Sequence, residues 1–327
     1  MRIVIALADD VLRNRGASRG EEDDAEGVRA AAVRLARLAQ GNELVIVRSE
    51  GHRWSPPLAP EHNGDAMDGA AHDGLADMAD MGEISGRSGK AGMTIGRRLE
   101  SELRDSLHGV RPCETFFTSV EVDADDPAFD HPDTPVGAVF TGERALAAAR
   151  ANQWRIASDG VGYRRVVPSP RPVRLLPREP LRRLMGQGAV IVCALARIPV
   201  VAADDGSWRR VEAVVDHHAA AALVAEAVEA DSFVIATHTA GVFLDGGTAN
   251  SKLLRHGHPN ALRELAGATG AMAPKLRAAA QFVERTGRRA AIGALTDIAG
   301  LVEGTAGTSI SCERPDPRRF AGGAVAY

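Results

Sequence analysis

Lys275 follows Pro274 at the start of an apolar-periodic stretch, Lys275–Thr286, that predicts a helix. An ammonium beside the exposed N–H groups of a helix N-terminus is chemistry for a phosphate. The same placement also suits a surface lysine at an ordinary helix start. Asp216, His217 and His218 stand side by side, and carboxylate with imidazole is a ligand set for a divalent transition metal. Spacing fixes no geometry, and neighbouring His217 and His218 do not both face one ion, so no metal centre is expected. His238, alone after a predicted strand, reads as a histidine satisfied by backbone. Cys113, Cys193 and Cys312 are far apart with no Cys-x-x-Cys pair. That argues against a zinc site or a disulfide framework and suits a reducing cytoplasm.

These residues need elements to position them. Arg2–Leu7 predicts a first strand, and Asp24–Gln40 a helix with Val28, Ala31, Leu35 and Leu38 on one face and Gly41 as its cap. Leu44–Val47 is a short, wholly apolar strand of the kind found in parallel sheets covered on both faces. Residues 51–92 mix Gly, Asp, His, Met and Pro without periodicity and predict a flexible loop or insertion. A helix near Ile95–Leu107 and a strand near Thr115–Val122 follow. From 123 to 172 the chain is rich in Pro and Asp, with a hairpin expected to turn at Asp159-Gly160 between Trp154–Ala157 and Tyr163–Val167. Beyond it come helix Arg178–Met185, strand Ala189–Cys193, helix Ala219–Ala230 and strand Phe233–Ala236. Helix Ala261–Ala266, helix Lys275–Thr286, strand Arg289–Ile292 and strand Thr308–Ile310 complete the pattern. Alternating strands and helices predict right-handed parallel crossovers in an α/β sandwich.

Composition sets the outer limits. With 327 residues, 45% of them hydrophobic and 25% charged, the chain can bury a substantial core. A net charge of −4 marks no nucleic-acid binder. No apolar run reaches the length of a membrane span, and Asp9 and Asp10 interrupt the apolar N-terminus too early for a signal peptide. The expected compartment is the cytoplasm.

Several stretches, in order along the chain, resemble the carbamate kinase family of the amino-acid-kinase superfamily. They are Val122–Phe129, Gly160–Pro170, Val211–Asp216, Met272–Lys275, Ala290–Gly293 and Gly304–Thr308. The resemblance implies a three-layer αβα sandwich with a mainly parallel central sheet and a small protruding β-containing subdomain, here 123–172, within one carbamate-kinase-like domain spanning 1–327. It also implies homodimers, and ATP–Mg-dependent phosphoryl exchange between carbamate and carbamoyl phosphate. The N-terminal half would hold the carbamoyl and transferred phosphate groups, and the C-terminal half the nucleotide. Glycine-rich turns bring backbone N–H groups to the phosphates, and lysines neutralise the charge in flight.

The retained family positions are Lys275 and Asp216 for catalysis, with Gly51, Lys275 and Thr237 for the nucleotide and phosphates. Others are replaced. The first family loop, Gly-Gly-Asn, is Ala8-Asp9-Asp10; the second, His-Gly-Asn-Gly, is Arg48-Ser49-Glu50-Gly51; the third, four glycines, is Ala194-Leu195-Ala196-Arg197. A lysine and an aspartate are His217 and His218, the subdomain's lysine is Thr134, and an aspartate of the nucleotide half is Ala240. These changes bring Asp9, Asp10, Glu50, His52, His217 and His218 toward one cleft. The expectation is a catalytically impaired or inactive relative acting as a partner or regulatory subunit, as a homodimer or beside a related chain. The alternative is an active carbamate kinase or a related acyl-group kinase.

Overall fold

The structure, a computed structural model, describes residues 1–12, 21–49, 96–140, 142–158, 162–196, 198–245, 248, 250–268, 270–313 and 324–326. Every residue from Ile3 to Leu7 of β1 (Arg2–Ala8) is fully buried. Burial on both faces requires two covering layers, and the alternation of side chains assigns each. Ile3, Ile5 and Leu7 pack with Leu35 of α2 (Glu21–Ala39), Leu99 and Leu103 of α3 (96–106). Val4 and Ala6 share the opposite core with Leu181, Val224 and Phe282. A four-residue helix, α1 (Asp9–Leu12), follows β1 directly.

The remaining strands are β2 (Glu43–Ser49), β3 (Cys113–Val122), β4 (Thr134–Phe140), β5 (Ile156–Ser158), β6 (Tyr163–Val167), β7 (Pro172–Leu176) and β8 (Val190–Leu195). After them come β9 (Val200–Ala202), β10 (Trp208–Arg210), β11 (Ser232–Thr237), β12 (Val242–Leu244), β13 (Lys252–Gly257), β14 (Arg289–Ala294), β15 (Thr308–Ile310) and β16 (Ala324–Ala326). Interspersed are α4 (Gly142–Asn152), α5 (Glu179–Gly186), α6 (His217–Ala227), α7 (Pro259–Ala268), α8 (Ala273–Thr286) and α9 (Ile298–Glu303). The main sheet runs β10-β9-β3-β8-β2-β1-β11-β14-β15-β13-β12, with β7 beside β3 and β16 beside β13. Its centre, from β3 through β14, is parallel. The expected αβα sandwich is what the chain forms.

β4, β6 and β5 form a separate antiparallel sheet, in that order. Val136 and Val167 seat it on Val214 and Ile198. The hairpin falls where the sequence puts it, Ser158 opposite Tyr163. Its first arm starts at Ile156 rather than Trp154, because the Trp154 N–H closes α4 on the Ala149 carbonyl at 3.0 Å. That helix was not anticipated in the Pro- and Asp-rich stretch.

Element boundaries move elsewhere by one to three residues, as at the start of α2 on Glu21 and of β3 on Cys113. The helix expected at Ala219–Ala230 is His217–Ala227, capped by Asp216 at one end and stopped before Glu229, whose φ is +56°. The strand expected at Ala189–Cys193 runs on to Leu195. The loop expected at 51–92 lies outside the described residues. Among the described residues, no helix is long and apolar enough to cross a membrane.

Candidate active site

Parallel pairing aligns six strands along one edge, five of them at their carboxyl ends. Ala8 lies opposite Ser49, Arg48 opposite Ala194, and Thr118 opposite Leu195. Leu7 pairs with Ala236, and Thr237 with Ala294. In α/β sheets this carboxyl edge is where ligands bind. The sequence-selected positions at 8–10, 48–49, 194–196 and 237–240 therefore converge there through the register itself.

At the third loop, strand pairing continues one residue past the end of β8. Thr118 and Leu195 are register partners, and the Ala196 N–H donates to the Thr118 carbonyl at 2.9 Å. Leu195 is buried in the same core as Val47 and Cys193. One N–H that could face a phosphate is thus committed to β3, and its neighbour's side chain is committed to the core. Ala194 is half-buried and Ala196 exposed, while Arg197 lies outside the described residues.

At the first two loops, β1 ends on Ala8 and Asp9 and Asp10 open α1. Arg48 is 2% exposed. Its Nη1 reaches within 3.3 Å of where a Cβ on Gly96 would sit, so the first turn of α3 has little room for a side chain there. A buried guanidinium is a costly charge that native structures retain with partners. Glu50, Gly51 and His52 lie outside the described residues.

Asp216 has a defined structural task. Its Oδ1 accepts from the Ala219 N–H at 2.9 Å, capping α6. The first two residues of that helix, His217 and His218, are buried, with ring centroids 5.0 Å apart at 55°. Among the described residues no group of three or more His, Cys, Asp or Glu is placed to hold a metal. Thr134 opens β4 in the small sheet opposite Val167, and its hydroxyl donates to Asp133 Oδ1 at 3.2 Å. Burial pushes the Cys193 thiol up to about 12, which leaves it an inert packing group in β8.

Lys275 sits half-buried in the first turn of the fourteen-residue α8, where Pro274 is accommodated without losing a hydrogen bond. Thr237 ends β11 as a buried residue, and His238 and exposed Ala240 occupy the bend beyond it. A Cβ on Gly293 would stand 3.1 Å from the Ala240 carbonyl and 2.5 Å from Leu301 Cδ2, so the bend packs tightly on β14. The helix N-terminus with its lysine is chemically fit for ATP's phosphates.

The amino acid kinase family matches residues 1–294. The carbamate kinase of Haemophilus influenzae is 38% identical over 312 residues, 95% of this chain and 97% of that protein. The chain belongs to the carbamate kinase family. The Escherichia coli K12 carbamate kinase is 33% identical over 310 residues, covering 94% of this chain and 99% of the relative. A solved carbamate kinase from Giardia lamblia, bound to AMP-PNP, shares the fold with a TM-score of 0.78 at 23% identity, covering 95% of this chain and 98% of its own.

Two neighbours of the positions selected from the sequence carry no signal of their own. Thr118, which takes the Ala196 N–H, belongs to no motif, and only the strand register exposes it. Gly96, which leaves room for Arg48, likewise carries no signal in the sequence.

Proposed function

We propose that this chain performs carbamate kinase chemistry, the exchange of phosphate between ATP and carbamate that gives ADP and carbamoyl phosphate, and that it does so slowly. The reaction class is supported by the end-to-end similarity to carbamate kinases at up to 38% identity among those compared. The low rate is supported by one observation above others, the Ala196 N–H held by Thr118. A donor already bonded in the ground state gives nothing extra to the charge that develops in transfer.

In this reading Lys275 and the first N–H groups of α8 hold the nucleotide's phosphates, and Thr237 lines the same edge. The magnesium ion comes with the nucleotide, bound largely through its phosphates. Arg48 adds positive charge beside the first two loops, where Asp9 and Asp10 add negative charge.

A second reading is a non-catalytic partner or regulatory subunit, as a homodimer or beside a related chain. Its support is the concentration of replacements at Ala8–Asp10, Arg48–Gly51, Ala194–Arg197, Thr134 and His217. Calorimetric titration with ATP–magnesium, run beside an ADP-plus-carbamoyl-phosphate assay, separates the two. Nucleotide binding with slow turnover supports the enzyme, and absence of turnover supports the partner. Sedimentation as a single chain at micromolar concentration would count against self-association.

A further inference from the structure

A cavity of about 340 Å³ lies where the small sheet meets the body, lined by Asn152, Gln153, Trp154, Arg155, Arg165 and Glu212 among others. Arg165 of β6 is buried, its guanidinium 4.9 Å from the centroid of the Trp154 ring. Stacking favours a fixed plane for the cation, and a guanidinium edge suits a bidentate acceptor. Glu212, from the segment before α6, pairs with it. The two partners differ sharply in exposure, with side-chain values of 6% for Arg165 and 60% for Glu212. The cation is built in, whereas the anion reaches in from solvent.

The rest of the lining favours negative charge. Arg155 donates one N–H to the Asp130 carbonyl at 2.9 Å, from a guanidinium that has five. Asn152 and Gln153 add amide donors, and Glu212 is the one acid among the lining residues. An exposed carboxylate tethered by a long side chain is a weak holder of a buried cation, since it loses rotamer freedom to stay. A free anion of similar charge can take its place.

We propose that this cavity binds a small carboxylate- or phosphate-bearing anion, which displaces Glu212 from Arg165 and bridges Arg165 to Arg155. The cavity lies at the base of the small sheet, and the proposal does not require that the chain transfer phosphate.

The test is titration of the full chain with inorganic phosphate, and separately with malonate, followed by tryptophan fluorescence. A saturable change is expected with at least one anion, and the responding anion assigns the phosphoryl or the dicarboxylate class. The change should vanish in Trp154→Phe, which leaves Trp54 and Trp208. Glu212→Gln removes the competing charge while keeping an acceptor for Arg165, and should tighten binding roughly fivefold, the factor a partly exposed ion pair is worth. Arg155→Gln should weaken it, and Lys275→Ala should leave it unchanged. The proposal is overturned by no saturable response to either anion, by a response that survives Trp154→Phe or is lost in Lys275→Ala, or by unchanged or weaker binding in Glu212→Gln.

Discussion

The Ala196 N–H donates to the Thr118 carbonyl at 2.9 Å, extending the pairing of β8 with β3 one residue into the third loop. Leu195, 8% exposed, anchors that extension in the core. Replacing residues 194–197 with four glycines should therefore do two things at once. Stability should fall by about 2–5 kcal/mol from loss of the buried leucine alone, read by urea denaturation. Affinity for carbamoyl phosphate, read by calorimetry, should rise.

Repair of the first loop alone should fail. Changing Asp9-Asp10 to Gly-Asn removes two carboxylates, but the third loop stays committed to β3 and Thr134 and His217 remain. Preorganised donors are individually worth about 10²–10³ in rate, so turnover should change little. Repairing all three loops with both lysines should exceed the sum of the single changes, because the groups act on one transferred phosphate. Strong recovery from the Asp9-Asp10 change alone would place the defect in charge repulsion.

Asp216→Ala should cost about 1 kcal/mol, the value of an N-cap, while Asp216→Asn should be nearly neutral because the amide oxygen still accepts from Ala219. Turnover measured on the Asn variant separates capping from chemistry. Retained activity there makes Asp216 a positioning residue for α6.

Much of this was legible in the sequence for a physical reason. Strands buried on both faces must be apolar along their buried length, so Ile3–Leu7, Leu44–Val47 and Phe233–Ala236 announce themselves. Thr308–Ile310 was placed to the residue. Short strands such as Val200–Ala202 and Trp208–Arg210 span too few residues to show a period. The helix Gly142–Asn152 was hidden by its Pro- and Asp-rich flanks, and the start of α6 depended on a cap that was instead singled out for catalysis. At the site, residue identities single out positions that depart from the family resemblance, but not where their backbone groups bond. That is a matter of register, which no local pattern encodes.

Stability should carry a pH signature from Glu226. Burial raises its pKa from the usual 4.5, opposed by Arg285 at 3.2 Å. A carboxyl whose folded pKa lies above its unfolded one binds the proton more tightly when folded. Its contribution is full below the unfolded value and is lost as pH rises through the folded one. Denaturant midpoints of the native chain and Glu226→Gln, compared from pH 4 to pH 7, should diverge in favour of the variant as pH rises. Parallel profiles would contradict the assignment.

Lys275→Ala should weaken ATP–magnesium binding roughly tenfold to a hundredfold, as expected for loss of a charged hydrogen bond of about 1.5–3 kcal/mol. The fold should be untouched, since Lys275 is only half-buried at the helix start. Calorimetry reads the first effect and thermal denaturation the second.

The most direct measurement is the rate of ATP formation from ADP and carbamoyl phosphate by the purified chain, beside the Haemophilus influenzae carbamate kinase under the same conditions. The predicted result is measurable turnover that lies at least about 10²-fold below the relative's, the cost of one missing preorganised donor, and that is lost further in Lys275→Ala. Turnover equal to the relative's would contradict the slow-transfer reading, and no turnover at all would contradict the enzyme.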